Sequence, residues 1–219
     1  MDSPVLCLQA QGLGLRQYRR VYDLEVNVVA SQAVKAEMKK DDDSTGYAIW
    51  PFKPAEISVN DDRNNGGIDL VANPELIDII HEATEENGLR DLLISMNKPG
   101  RAFMTLGCIA GDIDGVYYTY IEFTPRDPAI ARDEDAIKAI YPQWLQWNAT
   151  NCAAYPGLAD ALRSNVEWKY RAFSFREKEP QFLITIYPRA QSAQTHKDLI
   201  SWVHNFLCSV DLTDLRRVP

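Results

Sequence analysis

Polar and apolar residues alternate along residues 20–30. Tyr22, Leu24, Val26, Val28 and Ala30 fall on one side, and Asp23, Glu25 and Asn27 on the other. A period of two marks a half-buried strand. Residues 31–40 are expected to form a short helix, with Val34 and Met38 on one face, that ends in the polar run Lys39 to Ser44. Short strands are expected at 47–50, 55–60 and 67–72. The loop from Asn60 to Gly67 is rich in residues that tolerate positive φ.

The period then changes. Leu76, Ile77, Ile79, Ile80 and Ala83 form a wide apolar stripe. Asn73 suits an N-cap, Pro74 the first turn and Gly88 the position after the last turn, so a helix is expected over 74–87. A second helix is expected over 89–96, ended by Asn97-Lys98-Pro99-Gly100. Two strands, 102–109 and 116–124, flank Gly111 to Gly115 and predict a hairpin. Helices are expected from Asp127 to about Ile140, again from Pro142, and over 156–164. Residues 168–175 and 182–187 predict a second hairpin around Arg176 to Pro180. Thr195 with Asp198 resembles a capping box that opens a last helix, whose core stripe is Leu199, Ile200, Val203, Phe206 and Leu207.

Adjacent hairpins without regular β/α alternation point to an α+β fold, with mainly antiparallel sheet and packed helices. Two stretches echo each other, 74–126 and 142–189. Gly88-Leu89, Asp91, Leu93 and Arg101-Ala102-Phe103 have counterparts in Gly157-Leu158, Asp160, Leu162 and Arg171-Ala172-Phe173. A duplicated α-α-β-β unit would produce this pattern. The chain reads as a single compact domain over 1–219, with internal halves 1–127 and 128–219.

Composition is that of a folded globule, at 46% hydrophobic and 25% charged residues. Charge is not evenly spread. Residues 41–127 carry a net −11, against +2 for 1–40 and +1 for 128–219. Such asymmetry can mark an electrostatic surface. It disfavours direct nucleic-acid binding, which needs a basic stripe. The N-terminal stretch is a poor signal peptide, and no apolar run approaches the ~18–20 residues of a membrane helix. A cytoplasmic protein with no membrane contact is expected. Cys7, Cys108, Cys152 and Cys208 lie far apart and read as free thiols in a reducing compartment.

Motifs of chemistry are absent or incomplete. Asp112-x-Asp114-Gly115 hints at a calcium loop, but Ala110 and Ile121 stand where an EF-hand needs ligands, so a hairpin turn is expected. His81-Glu82 has Glu85 where a zinc helix needs His, and Asp78, His81, Glu82, Glu85 and Glu86 read as a solvated face. Cys108 has Leu106 where a nucleophile elbow needs Gly. No metal or cofactor is expected. Trp144 and Trp147 read as core rather than a ligand cage. Strand 116–124 places Tyr117, Thr119, Ile121 and Phe123 on one face and Val116, Tyr118, Tyr120, Glu122 and Thr124 on the other, with Glu122 marking the wetter side.

Taken together, these features suggest an acidic interaction or inhibitor protein, of the immunity type, that docks a basic protein partner. Its contact residues would be Asp61, Asp62, Asp112, Asp114, Tyr118, Tyr120 and Glu122. The alternative is a hydrolase-like enzyme with a dispersed site drawn from His81, Cys108 and carboxylates. Self-association into a homo-oligomer, acidic echo against basic echo, is a third reading.

Overall fold

A computed structural model describes residues 37–41, 48–52, 56–57, 63–64, 67–213 and 215. The expected strand at 20–30, and the acids Asp61 and Asp62, lie outside the described residues. Four two-residue strands come first: β1 (Lys39–Lys40), β2 (Ile49–Trp50), β3 (Glu56–Ile57) and β4 (Arg63–Asn64). A 3-10 helix (Pro74–Ile79) precedes α1 (Leu89–Asn97), and the hairpin β5 (Phe103–Ile113) and β6 (Val116–Pro125) follows. Then come α2 (Pro128–Ala131), α3 (Glu134–Lys138), α4 (Ile140–Asn151) and α5 (Pro156–Asn165). The second hairpin, β7 (Val166–Phe175) and β8 (Pro180–Ala190), leads into α6 (Ala193–Ser209).

Helices and a mixed, mostly antiparallel sheet make this an α+β fold, in the order β1-β7-β8-β6-β5, with β2 also on β7. β1 and β2 run parallel to β7, and β5, β6, β7 and β8 pair antiparallel. β3 and β4 form a separate antiparallel pair. Strands from both halves of the chain therefore share one sheet.

Alternation along the strands sorts residues between two faces. Phe103, Ile121, Phe123, Trp168, Ile184 and Ile186 face the helices and join Leu89, Leu93, Trp144, Ile200, Val203 and Phe206 in the main core. Trp144 is core, as expected, and the partly buried Trp147 packs against it: Trp144 lies 5.5 Å from Trp168 and 5.2 Å from Phe206, ring centre to ring centre, and Trp147 5.0 Å from Trp202. The opposite face carries a smaller cluster of Trp50, Leu106, Phe173 and Leu183.

The strand pairing has an internal two-fold. Phe103 pairs with Pro125, and adding 63 to each number gives Val166 and Pro188, which also pair. The same shift exchanges the pairs Ile121–Ile186 and Phe123–Ile184, so the axis passes through the pair Glu122–Thr185. A bulge between Thr105 and Gly107 moves the later β5 positions by one, making Gly107 the counterpart of Lys169. Helix packing follows the same pattern, α1 against α6 and α5 against α4. The echo in the sequence matches this only in part. Leu89 and Leu93, like Leu158 and Leu162, are buried on the helix before each hairpin. Phe103 and Phe173 are not equivalent, because Phe103 opens β5 whereas Phe173 lies near the end of β7, opposite Gln181. Residues 98–102 separate α1 from β5, while α5 runs directly into β7.

Local side-chain chemistry corrects several expected elements. The helix over 74–87 is a 3-10 helix that stops at Ile79. Asn87 diverts the following backbone: its Oδ1 accepts from the Thr84 and Leu89 N–H groups at 3.3 and 3.0 Å, and its Nδ2 donates to the Glu82 carbonyl at 2.8 Å. This competition is what makes Asn unfavourable inside helices. Gly88, at φ 79°, starts α1 instead of ending a helix before it. The expected strand 67–72 is a turn, in which Asp69 accepts from the N–H groups of Val71 and Ala72. At 39–40 the chain is strand rather than helix. The helix expected from Asp127 to Ile140 breaks in two because Asp133 caps α3 through the N–H groups of Asp135 and Ala136. Ser192, not Thr195, caps α6.

Both hairpins are longer than expected. Asp114 at φ 53° and Gly115 at φ 81° form a two-residue turn whose handedness matches the strand twist. At the other end of β5, Asn97 is buried in the last turn of α1. Its Oδ1 accepts from the Thr105 N–H at 3.1 Å, and its Nδ2 donates to Thr105 Oγ1 at 2.6 Å. Asn97→Ala leaves two buried polar groups without partners, and urea denaturation should show a loss of about 1–3 kcal/mol. An unchanged midpoint would show that this link is not structural.

Candidate functional site

The two-fold axis of the sheet passes beside a buried ion pair. Arg171 Nη2 donates to Glu122 Oε1 at 2.8 Å, with the side chains 4% and 12% exposed. Gly107 lies opposite Glu122 and leaves it room, since a Cβ there would sit 3.1 Å from Glu122 Oε2. The Arg171 guanidinium also stacks 4.7 Å from the Phe52 ring centre. Burial pushes the Glu122 carboxyl above its ordinary value, and Arg171 draws it partly back. Glu122 thus marks the drier part of its face, with Thr124 and Thr185 also buried. The expectation of a wet face fails here because Arg171, distant in sequence, supplies the counter-charge.

Toward the hairpin tip the same face becomes aromatic and charged. Tyr118 lies over Gly111, its hydroxyl 3.2 Å from where a Cβ would stand. Tyr120 is 6.3 Å from Tyr187. Lys169 and Arg189 lie 5.2 and 5.9 Å from the Tyr187 ring centre, and Arg189 also meets Glu167 at 3.4 Å. Among the expected contacts, the structure brings Tyr120 into this cluster and withdraws Glu122 into the sheet. Lys169, Arg171, Tyr187 and Arg189 were not anticipated, although their two-residue spacing within β7 and β8 is the signal of a shared face.

Asp112 and Asp114 are exposed at the tip. Around them Ile113 is 61% exposed, Val116 40% and Ile109 37%. Carboxylates and exposed apolar side chains thus share this end of the hairpin, Asp112 on the opposite face of β5 from Ile109 and Ile113. Farther back along the chain, Asp78 pairs with Arg90.

The groups considered for catalysis sit elsewhere. Cys108 pairs with Ile121 on the helix-covered face, and burial pushes its thiol up to about 12, with the Glu82 and Glu122 carboxylates adding to the effect. Such a thiol supplies no thiolate near neutrality. His81 is exposed on the loop after the 3-10 helix. His196 is buried on the sheet-facing side of α6, its ring 6.4 Å from Tyr117. Among the described residues, no three His, Cys, Asp or Glu side chains group as a metal site.

The geometry defines an α+β protein in which, among the described residues, helices cover one face of a mostly antiparallel sheet. No protein-family model, curated protein or solved structure matches the chain.

Two predictions follow from the buried groups. Glu122→Ala and Arg171→Ala each strand a buried charge or its partner, and should each cost about 3–5 kcal/mol in denaturant unfolding. Replacing both, as Glu122→Leu with Arg171→Met, should recover most of that loss. Burial also lowers His196, despite the Pro188 carbonyl, and His204, despite Asp91, below the ordinary 6.5. The unfolded chain then binds more protons, so their contribution, full at pH 7.5, is lost as pH falls through about 6.5. The unfolding midpoint should drop between pH 7.5 and 5.5, and by less in His196→Gln.

Proposed function

We propose that this chain is an acidic interaction protein that docks a basic protein partner at the tip of the β5–β6 hairpin. The observation that carries the reading is that exposed Asp112 and Asp114 share one hairpin end with exposed Ile113 and Val116, with exposed Ile109 farther along β5 on the same face as Ile113. Carboxylates steer a basic partner and set orientation, while apolar side chains supply contact area. Tyr118 and Tyr120 border the same end of β6, and Tyr contributes area at low entropy cost. Glu122 drops out of the contact set because Arg171 holds its carboxylate. Asp61 and Asp62 stay in it on charge alone.

Docking at such a surface would block or stabilise the partner, in the manner of an inhibitor or immunity protein. The proposal sets this in a reducing cytoplasm, in keeping with Cys108, Cys152 and Cys208 as free thiols. No helix among the described residues is long and apolar enough to cross a membrane. The protonated Cys108 thiol weighs against the hydrolase reading.

The test is capture on immobilised full-length chain at low salt, with Asp112→Lys/Asp114→Lys as comparison. Basic proteins should be retained in about 20 mM salt and released by about 0.5 M, because exposed charges are screened there. The variant should retain about tenfold less. Equal retention by both chains, or no basic protein retained by either, would overturn the reading.

A further inference from the structure

The two outer strands of the sheet are equivalent by the internal two-fold but are treated differently. The outer edge of β7 is occupied by the chain itself. β1 pairs with Lys169 and Tyr170, and β2 with Ser174 and Phe175, so two short pieces of the chain run parallel to β7 on this edge. The counterparts of Lys169, Tyr170, Ser174 and Phe175 on β5 are Gly107, Cys108, Asp112 and Ile113. β5 ends the sheet, and no described strand pairs with its outer edge.

The first part of that edge is closed from within. Asn97 takes the Thr105 N–H, and Trp50 Nε1 donates to the Leu106 carbonyl at 2.8 Å, next to the bulge. Charge, proline, bulges and side-chain caps are the usual protections of an edge strand. From Gly107 to Ile113 the sequence Gly-Cys-Ile-Ala-Gly-Asp-Ile has no lysine, arginine or proline. Ile109 and Ile113 project from it, 37% and 61% exposed. Among the described residues this stretch of edge has no strand partner, and an unpaired edge is a template for a further strand.

We propose that β5, from Gly107 to Ile113, receives an extended, basic segment of a partner protein as an added strand, in the position that β1 and β2 occupy on β7. Main-chain hydrogen bonds supply affinity, and alternate side chains of the incoming strand rest on Ile109 and Ile113. The basic character follows from the rim. Asp112 and Asp114 stand at one end, and Glu82 lies close enough to act on Cys108. By the β7 precedent the added strand runs parallel to β5. This rests on the reading of the chain as a docking protein for a basic partner, and specifies how the partner is held.

The test uses the full chain and two synthetic peptides of about eight residues, one alternating Lys and Val and one alternating Lys and Pro. Both carry the same charge, but proline withholds the alternate N–H groups that a strand must donate. Adding the Lys-Val peptide should slow hydrogen exchange at alternate amides between Gly107 and Ile113 by at least about tenfold. Asp112→Lys/Asp114→Lys should weaken its binding about tenfold, as should Ile109→Lys/Ile113→Lys. Equal binding of both peptides, with no slowing at β5, would overturn strand addition while leaving acidic docking intact. Binding of neither would overturn both. Protection of the same amides without peptide would also overturn the proposal: if it rises with protein concentration the occupant is a second copy, and if it does not the chain covers its own edge.

Discussion

Antiparallel pairing of β6 with β8 is the constraint on which the rest of the structure depends. It joins two hairpins, one from each half of the chain, through their second strands, and so sends their first strands to the two margins of the sheet. The helices before the hairpins, α1 and α5, pack on α6 and α4 respectively, and one face of all four strands closes onto the helical layer. The axis of this arrangement passes through Glu122 and Thr185. Placing a carboxylate there requires a counter-charge and space, supplied by Arg171 from β7 and Gly107 from β5. Such a pair adds little net stability over apolar side chains, yet removing one partner is costly.

A near-symmetric sheet still has two edges. β7 is covered by short parallel pieces of the N-terminal part, and among the described residues β5 is capped only as far as Leu106, by Asn97 and Trp50. Asp112 and Asp114 lie exposed at the far end of β5 and in the turn after it. The charge asymmetry of the sequence thus acquires a location, although not every carboxylate of 41–127 contributes. Glu122 is used internally, Asp69 accepts within a turn and pairs with Arg176, and Asp78 is held by Arg90.

Much of the fold was legible in the sequence. Period-two alternation located both hairpins, and the stripe from Leu199 to Leu207 located α6, because both depend on burial of one face. The sorting of Tyr117, Thr119, Ile121 and Phe123 onto the helical side of β6 followed from the same rule. What the sequence concealed were competitions decided by single polar side chains. Asn87 bonding to the backbone at 82–89 stops a helix that the apolar stripe favours, and Asp133 restarts a helix that composition would run through. The surface position of Asp112 and Asp114 was legible, since Asp-Gly between two strands places a turn at the surface. Glu122 was misread because its partner lies 49 residues away in the chain, and no local pattern reports such a contact.

The central claim is that two equivalent edges, which differ in strand partners among the described residues, differ in occupancy in the folded chain. Hydrogen exchange of the free, dilute full-length chain tests it most directly, by comparing the outward amides of Lys169–Phe175 with those of Gly107–Ile113. Slow exchange on β7, as part of the cooperative sheet, and fast exchange on β5 beyond the bulge is the expected result. Equal protection on the two edges would contradict the account.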